Sequence, residues 1–146
     1  MSKFPSIGFG TFNSFQDHDK VANAVKFAIE SGYRLFDCAS LYENTDEVGR
    51  AINECIESGI VQRKDLCIVT KLWNTEHDPE DVLPACRRSL KAMGLEYFDI
   101  FMMHWPVHME KASKLISNKD GGEYEFDIVH SGNRQALSKT YQAMER

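Results

Sequence analysis

Amphipathic helices that end in glycine alternate with short apolar runs along this chain, and that alternation restricts the fold more than any single residue does. Val21, Ala24, Val25, Ala28 and Ile29 recur at i, i+3, i+4, i+7 and i+8, follow Asp17 and Asp19, and stop at Gly32. Val48, Ala51, Ile52, Cys55 and Ile56 repeat the pattern from near Thr45 to Gly59. A third helix opens at Asp78-Pro79, an N-cap acid followed by the residue best tolerated at the first helical position. It presents Val82, Cys86, Leu90 and Met93 before Gly94, and a fourth helix is predicted over residues 133–146. The runs at residues 7–9, 34–37, 66–70 and 97–103 are apolar on both faces, as strands of a parallel sheet covered by helices are.

Four βα units fit either an open doubly wound sheet or part of a (β/α)8 TIM barrel. A dinucleotide-binding doubly wound fold wants G-x-G-x-x-G at its first turn, and the segment from Gly8 and Gly10 onward lacks the third glycine. A barrel instead brings polar residues at the carboxyl ends of successive strands to one mouth. Asp37, Lys71 and His104 stand at or just past the ends of three runs, 34 and 33 positions apart, close to the length of one unit. The barrel is therefore the expected architecture. The 28 residues between His104 and Asn133 carry the turn signal Asp120-Gly121-Gly122 and are expected to be an irregular excursion or mobile flap.

With 146 residues, 42% hydrophobic and 27% charged, the chain has the totals of one ordinary globular domain. The net charge of −5 and scattered lysines and arginines give nucleic-acid binding little electrostatic support. No apolar run approaches the roughly 20 residues of a spanning helix, so no membrane is expected and the cytosol is the expected address. Cys38, Cys55, Cys67 and Cys86 are too far apart for zinc or a disulfide framework and read as buried reduced thiols. His104 and His108 are four apart, but Pro106 between them argues against a shared helix face and a metal pair.

The chemistry gathers at the strand ends. Lys71, Val69 and Cys67 share one face of their strand, and His104, Met102 and Ile100 one face of theirs. A lysine at a barrel mouth needs a counter-charge, and Asp37 is nearest by topology. Tyr42 beside that lysine would have its phenolate favoured and become a usable proton donor near neutrality, while His104 can orient a carbonyl oxygen. Taken singly, each has a plainer reading: Asp37 and Lys71 as a structural ion pair, His104 as a core histidine, Tyr42 as a loop anchor, Trp73 and Trp105 as packing. Their conjunction at unit spacing favours a proton-transfer site.

At these residues the chain resembles the aldo-keto reductases, most closely the aldose and aldehyde reductase branch, over essentially its whole length. The matching segments are Gly8-Phe9-Gly10-Thr11, Gly32-Tyr33-Arg34-Leu35-Phe36-Asp37-Cys38-Ala39 with Tyr42-Glu43-Asn44 and Glu47-Val48-Gly49, then Thr70-Lys71-Leu72-Trp73, and Tyr97-Phe98-Asp99-Ile100 with His104-Trp105-Pro106. The resemblance implies a barrel enzyme that reduces aldehydes or ketones with NADPH. It implies Asp37, Tyr42, Lys71 and His104 as the catalytic tetrad, Gly10, Thr11 and Asp37 near the nicotinamide, and Phe12, Trp73 and Trp105 as the aromatic wall of a pocket for a small carbonyl substrate.

Thr45 stands where the family usually has glutamate and is expected to serve as an N-cap. The leader before Ile7 is short for the family's N-terminal hairpin. Eight units need about 250 residues, so residues 1–146 are expected to be the N-terminal half of the barrel, with the C-terminal half absent. The family's phosphate and adenosine contacts fall in that other half, so this chain alone is expected to be inactive despite a complete tetrad. The alternative is a non-catalytic half-barrel that binds a partner or self-associates through its open strand edges.

Overall fold

In the computed structural model, residues 4–12, 17–111, 114–116, 125–127 and 134–146 are described. Four parallel strands lie in sequence order: β1 (Phe9–Gly10), β2 (Leu35–Asp37), β3 (Cys67–Leu72) and β4 (Ile100–Met103). Gly10 pairs with Asp37, Asp37 with Val69, and Lys71 with Met102. The helices α1 (His18–Glu30), α2 (Thr45–Glu57), α3 (Pro79–Met93) and α4 (Arg134–Met144) follow the strands, each packed on the next. Sequential parallel strands with sequential helix neighbours are the wall of a (β/α)8 barrel, and four units make half of it.

Period-2 geometry divides the sheet into two faces. Phe36 and Ile68, both 0% exposed, point toward the helices and join Val25 and Ile29 of α1, Val48 and Ile52 of α2 and Met93 of α3 in the main core. The opposite face carries Asp37, Val69, Lys71, Ile100 and Met102. This is the barrel's inward side, and here it is only partly covered: Met102 is 39% exposed.

Local chemistry sets the helix ends. Asp17 accepts the backbone N–H of Lys20 at 3.1 Å, an N-cap bond for α1. Gly94 closes α3 at φ 63°, a left-handed conformation that lets its N–H reach Lys91 O at 3.2 Å. Two expected caps do not form. Asp78 occupies the N-cap position of α3 without a side-chain cap bond, because its carboxylate faces His108 and Lys111 at 4.0 and 3.9 Å. Thr45 is the first residue inside α2, and Asn44 holds the N-cap position.

Several boundaries also move. β1 begins two residues later than its apolar run, and β4 begins at Ile100, after Asp99, whose backbone N–H reaches Ile68 O at 3.0 Å while its carboxylate accepts the Ile68 N–H at 2.9 Å and pairs with Arg63 at 2.8 Å. The buried stripe of α3 is Val82, Ala85, Ser89 and Met93, leaving Cys86 and Leu90 half-buried; the smaller residues face the neighbouring elements. The excursion after β4 is not wholly irregular, since β5 (Lys114–Ile116) pairs antiparallel with β6 (Glu125–Asp127). Asp120-Gly121-Gly122 and Asn133 lie outside the described residues.

Candidate active site

The strand ends deliver their side chains to one mouth. Lys71, next to last in β3, donates from Nζ to Asp37 Oδ1 at 2.7 Å, to Cys38 O at 3.0 Å and to Tyr42 Oη at 3.0 Å. An ammonium has three N–H donors, and all three are accounted for. Tyr42 therefore accepts from the lysine and keeps its own proton to give away. Its ring centroid stands 5.8 Å from that of His104 at an interplanar angle of 88°.

Tyr42 ends a 3-10 turn, Ser40–Tyr42, and Glu43 follows at φ 51°, a left-handed backbone that is costly for a residue with a Cβ. Asn44, 4% exposed, donates to Thr11 O at 2.8 Å and ties this turn to the edge of β1. Asn44 fell inside a matching segment, yet nothing in its sequence context marked it as a tie.

Electrostatics set the protonation states. Burial works against the Lys71 charge, but its hydrogen bonds to Asp37 and Tyr42 and the Asp37 charge outweigh it, so its pKa rises above the ordinary lysine value. Burial and the Lys71 charge push His104 below the ordinary imidazole range, opposed by Asp37, which leaves a neutral ring at neutral pH. The Lys71 and Asp37 side chains are 11% and 42% exposed, so their attraction is weakened by water and contributes orientation more than stability.

The remaining expected residues surround this centre. Phe12 lies 5.2 Å from Tyr42, and Trp73 and Trp105 lie 5.3 and 5.5 Å from His104 and 5.3 Å from each other. Phe12 is 50% exposed. A Cβ built on Gly10 would meet nothing within 4 Å, so the space beside Asp37 is open. Thr11 is 2% exposed, and its hydroxyl and N–H both go to Asp37 O, at 3.1 and 3.0 Å. Cys38, Cys55, Cys67 and Cys86 carry free thiols, the last only half-buried. Burial pushes Cys38 up to about 12, which makes it an inert neighbour of the site.

The model of the aldo/keto reductase family matches residues 6–145. Aldo-keto reductase family 1 member A1 of Gallus gallus is 39% identical over 99% of this chain, and that of Mus musculus 40% identical over 98%. In structure, a Bombyx mori aldo-keto reductase in complex with NADP superposes with a TM-score of 0.77 at 33% identity over 97% of this chain. The chain spans 42% of the length of each of these relatives. A match that runs through every strand, helix and strand-end side chain described above places this chain in the aldo/keto reductase family.

Proposed function

We propose that this chain carries the proton-transfer half of an NADPH-dependent reductase that converts aldehydes or ketones to alcohols. The observation that carries the reading is the Lys71 ammonium bridging Asp37 and Tyr42 through hydrogen bonds of 2.7 and 3.0 Å. The open space over Gly10 beside the half-exposed Asp37 carboxylate suits a flat nicotinamide, with Thr11 holding the backbone of Asp37 from behind. The choice of NADPH rests on the Bombyx mori relative, whose structure is a complex with NADP. NADPH, when bound, supplies the hydride that forms the new C–H bond at the carbonyl carbon.

The chain's own residues handle the proton. His104, neutral, donates its single N–H toward the carbonyl oxygen and orients it. As the carbonyl oxygen gains charge, the Tyr42 O–H breaks and its proton moves to that oxygen, completing the alcohol. The phenolate left behind is stabilised by the Lys71 ammonium, which Asp37 and the Cys38 carbonyl hold in place. Phe12, Trp73 and Trp105 exclude water and pack against the substrate's apolar part.

The chain spans 42% of its relatives' length, and we read residues 1–146 as the N-terminal part of such a domain, with the contacts to the cofactor's phosphate and adenosine in the other part, as the resemblance implies. Positioning of a reactant is worth several kcal/mol of barrier, so the 146-residue chain by itself should bind NADPH weakly and turn over little. Four reduced thiols suit a cytosolic address. NADPH fluorescence titration with a parallel aldehyde-reduction assay tests this; micromolar binding with sustained turnover would show that the half-barrel works alone. In a form with all eight units, Tyr42→Phe should lower kcat about 10²-fold or more with NADPH binding retained, because the ring stays and the proton goes. Near-normal turnover would remove Tyr42 as the acid.

The partly exposed inward face and the outer edges of β1 and β4 favour a second reading, a non-catalytic half-barrel that pairs with itself. Native mass separates the two: 16.7 kDa fits the single chain, and twice that fits a pair that restores eight strands.

A further inference from the structure

His104 has no side-chain hydrogen bond to hold it: its Nδ1 is buried without a partner among the described residues. Its position must come from its backbone and its ring neighbours. Its own N–H reaches Leu72 O at 3.0 Å, and the next N–H, that of Trp105, is donated to Asn74 Oδ1 at 3.3 Å. Asn74 is 0% exposed and sits in the 3-10 turn Asn74–Glu76, directly after Trp73. Its Nδ2 donates to Val107 O at 2.5 Å and more loosely to Trp105 O at 3.4 Å, while its backbone O accepts the Met109 N–H at 3.0 Å.

One carboxamide therefore grips the segment after β4 from both sides, and a buried primary amide suits this because it offers an acceptor and two donors in one plane. We propose that Asn74 is a positioning residue for carbonyl reduction, a latch that holds His104 and Trp105 of one unit against Trp73 of the preceding one. The inference rests on the carbonyl-reduction reading above for its functional meaning, but the latch itself is testable without turnover. Asn74 lies outside the catalytic four and touches neither Tyr42 nor Lys71 through any of these bonds.

The test compares wild type, Asn74→Ser and Asn74→Ala in the 146-residue chain by NMR, following the His104 titration and amide exchange at Trp105. In Asn74→Ala, with the segment released, His104 should move into water and away from Lys71, so its midpoint rises toward the ordinary imidazole range near 6.5. Exchange of the Trp105 amide should quicken about tenfold while core amides such as that of Ile68 keep their protection, a contrast that general destabilisation would not produce. Asn74→Ser, which keeps one polar group, should fall between the other two and serves if the alanine variant does not fold. An unchanged His104 midpoint and Trp105 exchange in a folded variant overturn the latch. In an eight-unit form, Asn74→Ala should lower kcat/KM about tenfold or more with NADPH affinity unchanged. If His104 and Trp105 respond as expected but no eight-unit form reduces a carbonyl, the latch stands and the reductase reading fails.

Discussion

Acidification should destabilise this domain through His77. The ring is 0% exposed, neither nitrogen has a hydrogen-bond partner among the described residues, and the His108 ring stands 6.1 Å away. Burial, reinforced by His108 and opposed by Asp78, lowers its pKa to about 4, against 6.5 for a free, exposed imidazole. Between those values the unfolded chain binds more protons than the folded one, so stability falls as pH falls through the window and is flat above it. Each tenfold difference in proton affinity is worth about 1.4 kcal/mol, which makes the loss about 3 kcal/mol by pH 4, a large part of the 5–15 kcal/mol that holds a typical domain together. His104 titrates in the same direction, so the measurement is a difference: urea unfolding from pH 7 to pH 4 for wild type and for His77→Phe. The variant loses no hydrogen bond of the ring and cannot take up the proton, so its stability should fall by about 3 kcal/mol less over that range. Parallel profiles would refute the reasoning and would mean that His77 is hydrated or paired in solution.

Two further substitutions separate chemistry from scaffold. Lys71→Met should cut turnover in an eight-unit form about 10²-fold or more while changing stability by less than about 1 kcal/mol, because the Asp37 it abandons is 42% exposed and water can solvate it; a large fall in the urea midpoint with kinetics intact would contradict this division. Gly49→Ala places a Cβ 2.4 Å from Met93 Cα and 2.5 Å from its carbonyl oxygen, backbone that cannot swing aside. The contact should force α2 and α3 apart and cost about 1–3 kcal/mol, more than the gain in helix propensity returns, and an unchanged or raised unfolding midpoint would show that the helices yield freely.

The barrel-like wall was legible in the sequence because its signals are local. Glycine-stopped helices at 3.6-residue periodicity and two-sided apolar runs need only their own neighbours to be recognised, and α1, α2 and the four parallel strands lie where that periodicity puts them, within a few residues at their ends. Strand-end position together with period-2 parity also put Lys71 and His104 on one face before any contact was known. Trp73 and Trp105, adjacent to those strand ends in sequence, do stand against the His104 ring.

Tertiary structure decided what depends on partners distant in sequence. Asp99 gives its carboxylate to Ile68 and Arg63 at the start of β4, Asp78 turns from its cap toward His108 and Lys111, and Leu115 pairs with Phe126 in an antiparallel ladder in a stretch without local periodicity. Asn44 and Asn74 belong to the same class, since an asparagine is an ordinary polar residue until folding removes water from it and leaves particular carbonyls to satisfy. Composition and spacing thus determined which groups arrive at the mouth. Only the packed chain decided how they are held there, because a hydrogen bond between residues 31 or 33 positions apart has no trace in either one's local sequence.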